Sequence, residues 1–89
     1  MVRIIACHLV GGTLHEHIAE VKWVNPATKA TGQSSRAEMV SWIEDKKGQA
    51  VVGEGAEEVN VGVVDATPKH IRTYADGEWA NNLLALPRY

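Results

Sequence analysis

Apolar positions alternate with period two over most of the chain and adopt a helical spacing only once, near the middle. Arg3 to Val10 is rich in Ile, Val and Leu and runs into Gly11-Gly12-Thr13. His15 to Val24 follows, with His17, Ala19, Val21 and Trp23 on one face and Glu16, Ile18, Glu20 and Lys22 on the other. Two alternating runs around a glycine pair predict a β-hairpin turning about Gly12. Ile18 is the misfit and the expected place of a β-bulge. Asn25 to Gln33, NPATKATGQ, reads as a connecting loop because it combines Asn-Pro, two threonines and a glycine.

A helix should follow. Ser35-Arg36-Ala37-Glu38 has capping-box spacing, with Ser34 as the alternative cap, and Met39, Val40, Trp42 and Ile43 form an apolar stripe. Gly48 offers a left-handed terminus after Lys46 and Lys47, whose charges suit the end of the helix dipole. Gln49 to Val52 admits a short strand, and GEGAEE at 53–58 reads as a wet acidic loop. Val59 to Val64 is a further strand, Asp65 to Pro68 turns the chain, and Lys69 to Tyr74 returns antiparallel. Asp76-Gly77 makes another turn. The tail carries Trp79, Leu83, Leu84, Leu86 and Tyr89 and should bury some of them, through a short helical turn capped by Asn81 or Asn82 and stopped before Pro87. The predicted fold is α+β: a small antiparallel sheet in the order β-β-α-β-β, with one extra short strand where Gln49–Val52 pairs. One helix packs on one face, and the tail adds the C-terminal helical turn.

Size sharpens this. Eighty-nine residues supply one domain, residues 1–89, with a folded surface of roughly 5,100 Å² and no room for a large internal cavity. The net charge is −2, and residues 1–45 and 46–89 each carry one more acidic than basic group, so no basic field of the kind that attracts DNA spans the chain. Cys7 is the only cysteine, which excludes an internal disulfide and points to a reducing, cytoplasmic compartment. The run before Gly11 is too short for a membrane span and lacks a signal-peptidase site, so no membrane association is expected.

The C-terminal third carries a recognisable pattern: VNVG at 59–62, IRTYADG at 71–77, and NNLLALPRY at 81–89. With Asn60, Gly62, Arg72, Asp76, Asn81, Asn82, Leu83, Leu86, Pro87 and Tyr89 matching, the chain resembles the small proteins grouped as domain of unknown function 3892. The N-terminal strand, Val21, Trp23 and the helix with Trp42-Ile43 fit as well. Longer loops at 25–33 and 53–58, and Thr73 in place of serine, depart from the pattern. The resemblance implies a small protein of bacteria or their phages and brings no activity, cofactor or catalytic residue.

Candidate chemistry is sparse. A hairpin about Gly12 would set Cys7 opposite His17, with His15 beside it, but zinc sites favour four ligands in compact pairs such as CxxC, and none occurs. The expected reading is a half-buried thiol and surface histidines, with no metal and no cofactor. A Cys–His nucleophile would need a depressed thiol pKa and a pocket, whereas Cys7 lies in an apolar strand. Neither glycine-rich stretch has a phosphate-loop context, and Glu54, Glu57 and Glu58 read as a solvated loop. No enzyme is expected.

Lys69, His70, Arg72 and Tyr74 form a basic–aromatic strand, with His70, Arg72 and Tyr74 on one face and Lys22-Trp23 as a second such pair. Stacking rings beside cations suit single-stranded nucleic acid, whereas the blander reading is an edge strand protected by charge. Asp76, Asn81 and Asn82 would extend this into a polar patch, with local turn bonding and an Arg72–Asp76 pair as the structural alternatives. The expected function is a non-enzymatic protein-interaction module with an unknown protein partner. A nucleic-acid-binding module is the alternative, and the apolar tail also makes a homodimer conceivable.

Overall fold

The computed structural model describes residues 1–89. Strand β1 (Val2–Leu9) pairs antiparallel with β2 (Ile18–Val24), which pairs antiparallel with β3 (Thr31–Ser35). Helix α1 (Arg36–Asp45) follows directly, then β4 (Ala50–Val52), β5 (Val59–Val64), β6 (His70–Ala75) and β7 (Glu78–Ala80). All seven strands join one sheet in the order β3-β2-β1-β4-β5-β6-β7, antiparallel throughout except where β4 runs parallel to β1 at Val2–Ala50 and Arg3–Val51. The expected small antiparallel β-β-α-β-β sheet with an appended C-terminal helical turn is therefore corrected to a seven-stranded mixed sheet with one α-helix.

The two unforeseen strands are both sheet edges. In β3, Thr31-Gly32-Gln33-Ser34-Ser35 pairs residue by residue with Glu20 to Val24 although its sequence is polar. Asn25 sets up the preceding turn: its Oδ1 accepts the amides of Ala27 and Thr28 at 3.0 and 3.4 Å. An edge strand can be polar because it is solvated along one side.

Helix α1 begins as its spacing predicts. Glu38 N–H donates to Ser35 Oγ at 3.1 Å, and Ser35 N–H donates to Glu38 Oε1 at 2.9 Å, closing the capping box. Its end differs. Lys47, not Gly48, takes the left-handed backbone at φ 55°, and the amides of Lys46 and Gly48 both return to the Trp42 carbonyl.

Twelve buried side chains form the core. Ile4, Cys7, Ile18, Val21, Ile71 and Leu83 are each 1% exposed or less, and Met39 and Val40 of α1 join the same cluster. Burying an aliphatic side chain of this size contributes about 1.5–3 kcal/mol, so these few residues dominate the fold's stabilisation. The accessible surface, 5,251 Å², agrees with the size expected for this length.

The first hairpin is less regular than alternation suggests. The β1–β2 register shifts between Ile4 and Ala6 and again between His8 and Leu9, leaving Ile5 and then Ala19 without a partner. The second shift buries both Ile18 and Val21, which period two would place on opposite faces. The turn about Gly12 is also corrected: an eight-residue connection, Val10 to His17, with a 3-10 turn at His15–His17, joins the strands, so Cys7 faces Val21, not His17.

The tail completes the sheet. Because β4 reaches only Val2 and Arg3 of β1, the rest of that edge is open to another segment. After β7, a 3-10 turn at Asn82–Ala85 buries Leu83 fully, and Arg88 forms a parallel bridge with Cys7. Cys7 N–H donates to the Pro87 carbonyl at 3.0 Å, and Tyr89 N–H donates to the Cys7 carbonyl at 3.2 Å. No helix is long and apolar enough to cross a membrane.

Candidate functional site

Cross-strand partners share a sheet face, so the β5–β6 register sorts these residues. Val61–Thr73 and Val63–Ile71 turn toward the core, whereas Asn60–Tyr74, Gly62–Arg72 and Val64–His70 turn the other way. The outward set is extended by β7, whose Trp79 pairs with Tyr74. The β6–β7 connection is a two-residue turn with both central residues left-handed, Asp76 at φ 54° and Gly77 at φ 81°. Asp-Gly is the pair this hairpin geometry favours.

Tyr74 and Trp79 meet edge to face, with ring centroids 5.1 Å apart, and remain 45% and 41% exposed. Trp79 lies across Gly62, where an added Cβ would stand 3.3 Å from the indole. Trp79 belongs to the apolar tail that should bury some of its residues, and it is one that stays outside. The Asp76-Gly77 turn was the signal that could have found it, since a two-residue hairpin sets Trp79 opposite Tyr74.

Arg72 beside them is anchored. Its Nε donates to the Ala80 carbonyl at 3.0 Å and its Nη2 to Asn81 Oδ1 at 2.9 Å. The expected Arg72–Asp76 pair is thus replaced by Arg72–Asn81, and the Asn81 side chain does not cap the following turn. Asn82 faces inward: its Oδ1 accepts Thr73 Oγ1–H at 2.9 Å, and its backbone N–H donates to the same oxygen at 3.2 Å. Lys69 leaves the group altogether, because its ammonium meets Glu44 of α1 at 3.0 Å, which raises its pKa. Of the seven candidate residues, the structure gathers His70, Arg72 and Tyr74 on one face with Asn81 supporting Arg72. Asp76 lies in the turn, Asn82 under the sheet, and Lys69 at the helix.

The β1–β2 connection reaches this region. Its 3-10 turn, His15–His17, packs against β6. His15 is 8% exposed and its Nε2 is buried without a partner. Burial pushes its pKa down, and the positive charges of Arg72 and His70 push it further. His70 Nδ1 is 3.0 Å from the Pro68 carbonyl, which assigns the proton to that nitrogen.

The other reactive candidates lie apart. His17 sits over Gly12, its Nδ1 accepting the Leu14 amide at 3.1 Å. Cys7 is fully buried, with its thiol 3.5 Å from the Leu83 carbonyl, and burial raises its pKa to about 11. A thiol held there stays protonated near neutral pH and is a poor nucleophile. No group of three or more His, Cys, Asp or Glu side chains is arranged to hold a metal ion. In the acidic loop Glu54 pairs with Arg3 at 3.2 Å.

A family model matches residues 3–87, nearly the whole chain. The chain belongs to the family described as Protein of unknown function (DUF3892). Comparison with curated proteins and with solved structures found no match. The DUF3892 match includes the strands β5, β6 and β7 that carry Gly62, Arg72, Tyr74 and Trp79.

Proposed function

We propose that this DUF3892 protein is a non-enzymatic protein-binding module of the bacterial or phage cytoplasm, and that it contacts its partner through the outward face of β5–β7. The observation that carries this reading is the Tyr74–Trp79 pair, two large rings packed on each other and left more than 40% exposed. Such rings lower the free energy when a partner covers them, and Trp, Tyr and Arg are the residue types that dominate interface energetics. Arg72 is held in place by Ala80 and Asn81, so little side-chain freedom is lost on docking. The surrounding charges are mixed, Arg72 against Asp76 and Glu78, which suits a protein surface better than a polyphosphate chain.

Nucleic-acid binding is the second reading, favoured by the alignment of His70, Arg72 and Tyr74 on one face. It is weakened by the diversion of Lys69 to Glu44. The test begins with capture from a bacterial lysate using the wild-type protein and the Tyr74→Ala/Trp79→Ala variant, followed by titration of each purified candidate. Loss of a purified partner's binding in the double variant is the expected result. Unchanged binding would remove the aromatic pair from the interface. Salt-sensitive binding of a single-stranded oligonucleotide that depends on Tyr74 would establish the second reading instead.

A further inference from the structure

A pair of indoles lies on the other side of the sheet, where α1 crosses β2 and β3. Trp23 of β2 and Trp42 of α1 line one groove of about 280 Å³, together with Val2, Met39, Ser34 and Glu38. Both rings are seated on glycine. A Cβ at Gly32 would stand 2.5 Å from Cζ2 of Trp23, and one at Gly48 would overlap the ring-fusion atoms of Trp42. Each indole therefore has one face closed off by backbone, and the surface left for the groove is the opposite one. Trp23 is further fixed because its Nε1–H donates to Ser34 Oγ at 3.0 Å.

Glu38 supplies the only charge in this lining. The capping box pins its carboxylate, and hydrogen bonds from Ser35 hold its pKa below the usual range, so it is ionised at neutral pH. No Lys, Arg or His lines the groove to neutralise it. Aromatic faces, a thioether and one carboxylate complement a cation whose charge is sheathed in methyl groups. An anion would meet the carboxylate, and a neutral apolar molecule would leave it unused. The volume lies just below the range of roughly 300–1,000 Å³ typical of drug-sized ligands, which suits a small ion.

We infer that the groove between α1 and the β2–β3 hairpin binds a small methylated ammonium ion, with Trp23 and Trp42 as its walls and Glu38 as its counter-charge. The probe is choline, and the control is 3,3-dimethylbutanol, which has the same shape without the charge. Titration is followed by the indole N–H resonances, with Trp79 as an internal reference on the opposite face. Choline is expected to shift Trp23 and Trp42 saturably and leave Trp79 in place, and the uncharged isostere to bind about tenfold more weakly or not at all. Glu38→Gln preserves the capping box, since glutamine also accepts the Ser35 amide, and is expected to weaken choline binding by about tenfold with the fold intact. Trp42→Phe, which keeps a weaker aromatic wall, is expected to fall between. Absence of a saturable choline shift would overturn the proposal, as would equal binding of the isostere or unchanged affinity in Glu38→Gln.

Discussion

The two faces of strand β6 sit a few ångströms apart and do different work. Ile71 and Thr73 are fully buried, the first in the core cluster and the second bonded to Asn82, while Arg72 and Tyr74 look outward and Tyr74 is 45% exposed. On the inner face Ile71 is packed in the core and the Thr73 hydroxyl is bonded to Asn82. On the outer face two aromatic rings are left partly wet. The difference teaches that folding uses up the inner face, whereas on the outer face Tyr74 and Trp79 keep ring surface that the fold leaves uncovered.

Substitutions along the strand can break or sharpen that contrast. Ile71→Ala should have the largest effect, lowering stability by about 2–5 kcal/mol through lost burial and a residual cavity, as read from urea unfolding. Thr73→Val keeps the shape but strands Asn82, and should cost about 1–3 kcal/mol in the same measurement. The third effect is set by pH. Because the folded-state pKa of His15 is depressed, the unfolded chain takes up its proton first. The stability that neutral His15 supports is therefore complete above the unfolded value near 6.5 and falls as pH drops below it, until the folded pKa is passed. A lower Tm at pH 5.5 than at pH 7.5 is expected, and His15→Leu should flatten that slope. Trp79→Ala should have the smallest effect on stability, at most about 1 kcal/mol, since it removes one edge-to-face pair from the surface. A loss comparable to that of Ile71→Ala would show that the outer rings serve the fold after all.

Much of this arrangement is legible in the residues, and what is not has identifiable physical causes. The capping box at Ser35 and Glu38 is a local device and can be read locally. Strand β3 cannot, because TGQSS has no apolar alternation and is strand only by pairing with β2. The parallel contact of β4 with β1 depends on chain reversal through α1, which no local pattern encodes. Gly48 looks like a helix terminator in sequence, but its backbone role passes to Lys47, and a side chain there would collide with Trp42. The long connection from Val10 to His17 moves Cys7 away from His17, because the glycine pair opens a 3-10-containing loop and not a tight turn. In the candidate site, the shared face of His70, Arg72 and Tyr74 follows from period two. The departure of Lys69 to Glu44 and the emergence of Trp79 above Gly62 are tertiary facts.

The bridge between Cys7 and Arg88 also dictates an order of events during synthesis. Strand β1 is made first, yet the edge beside Cys7 is closed by residues 83–89, which leave the ribosome more than seventy residues later. A nascent chain lacking that segment carries β1 with an open edge and an uncovered thiol. The reactivity of Cys7 toward a thiol reagent should therefore drop sharply once Leu83 to Tyr89 have emerged, making this one side chain a clock for completion of the fold.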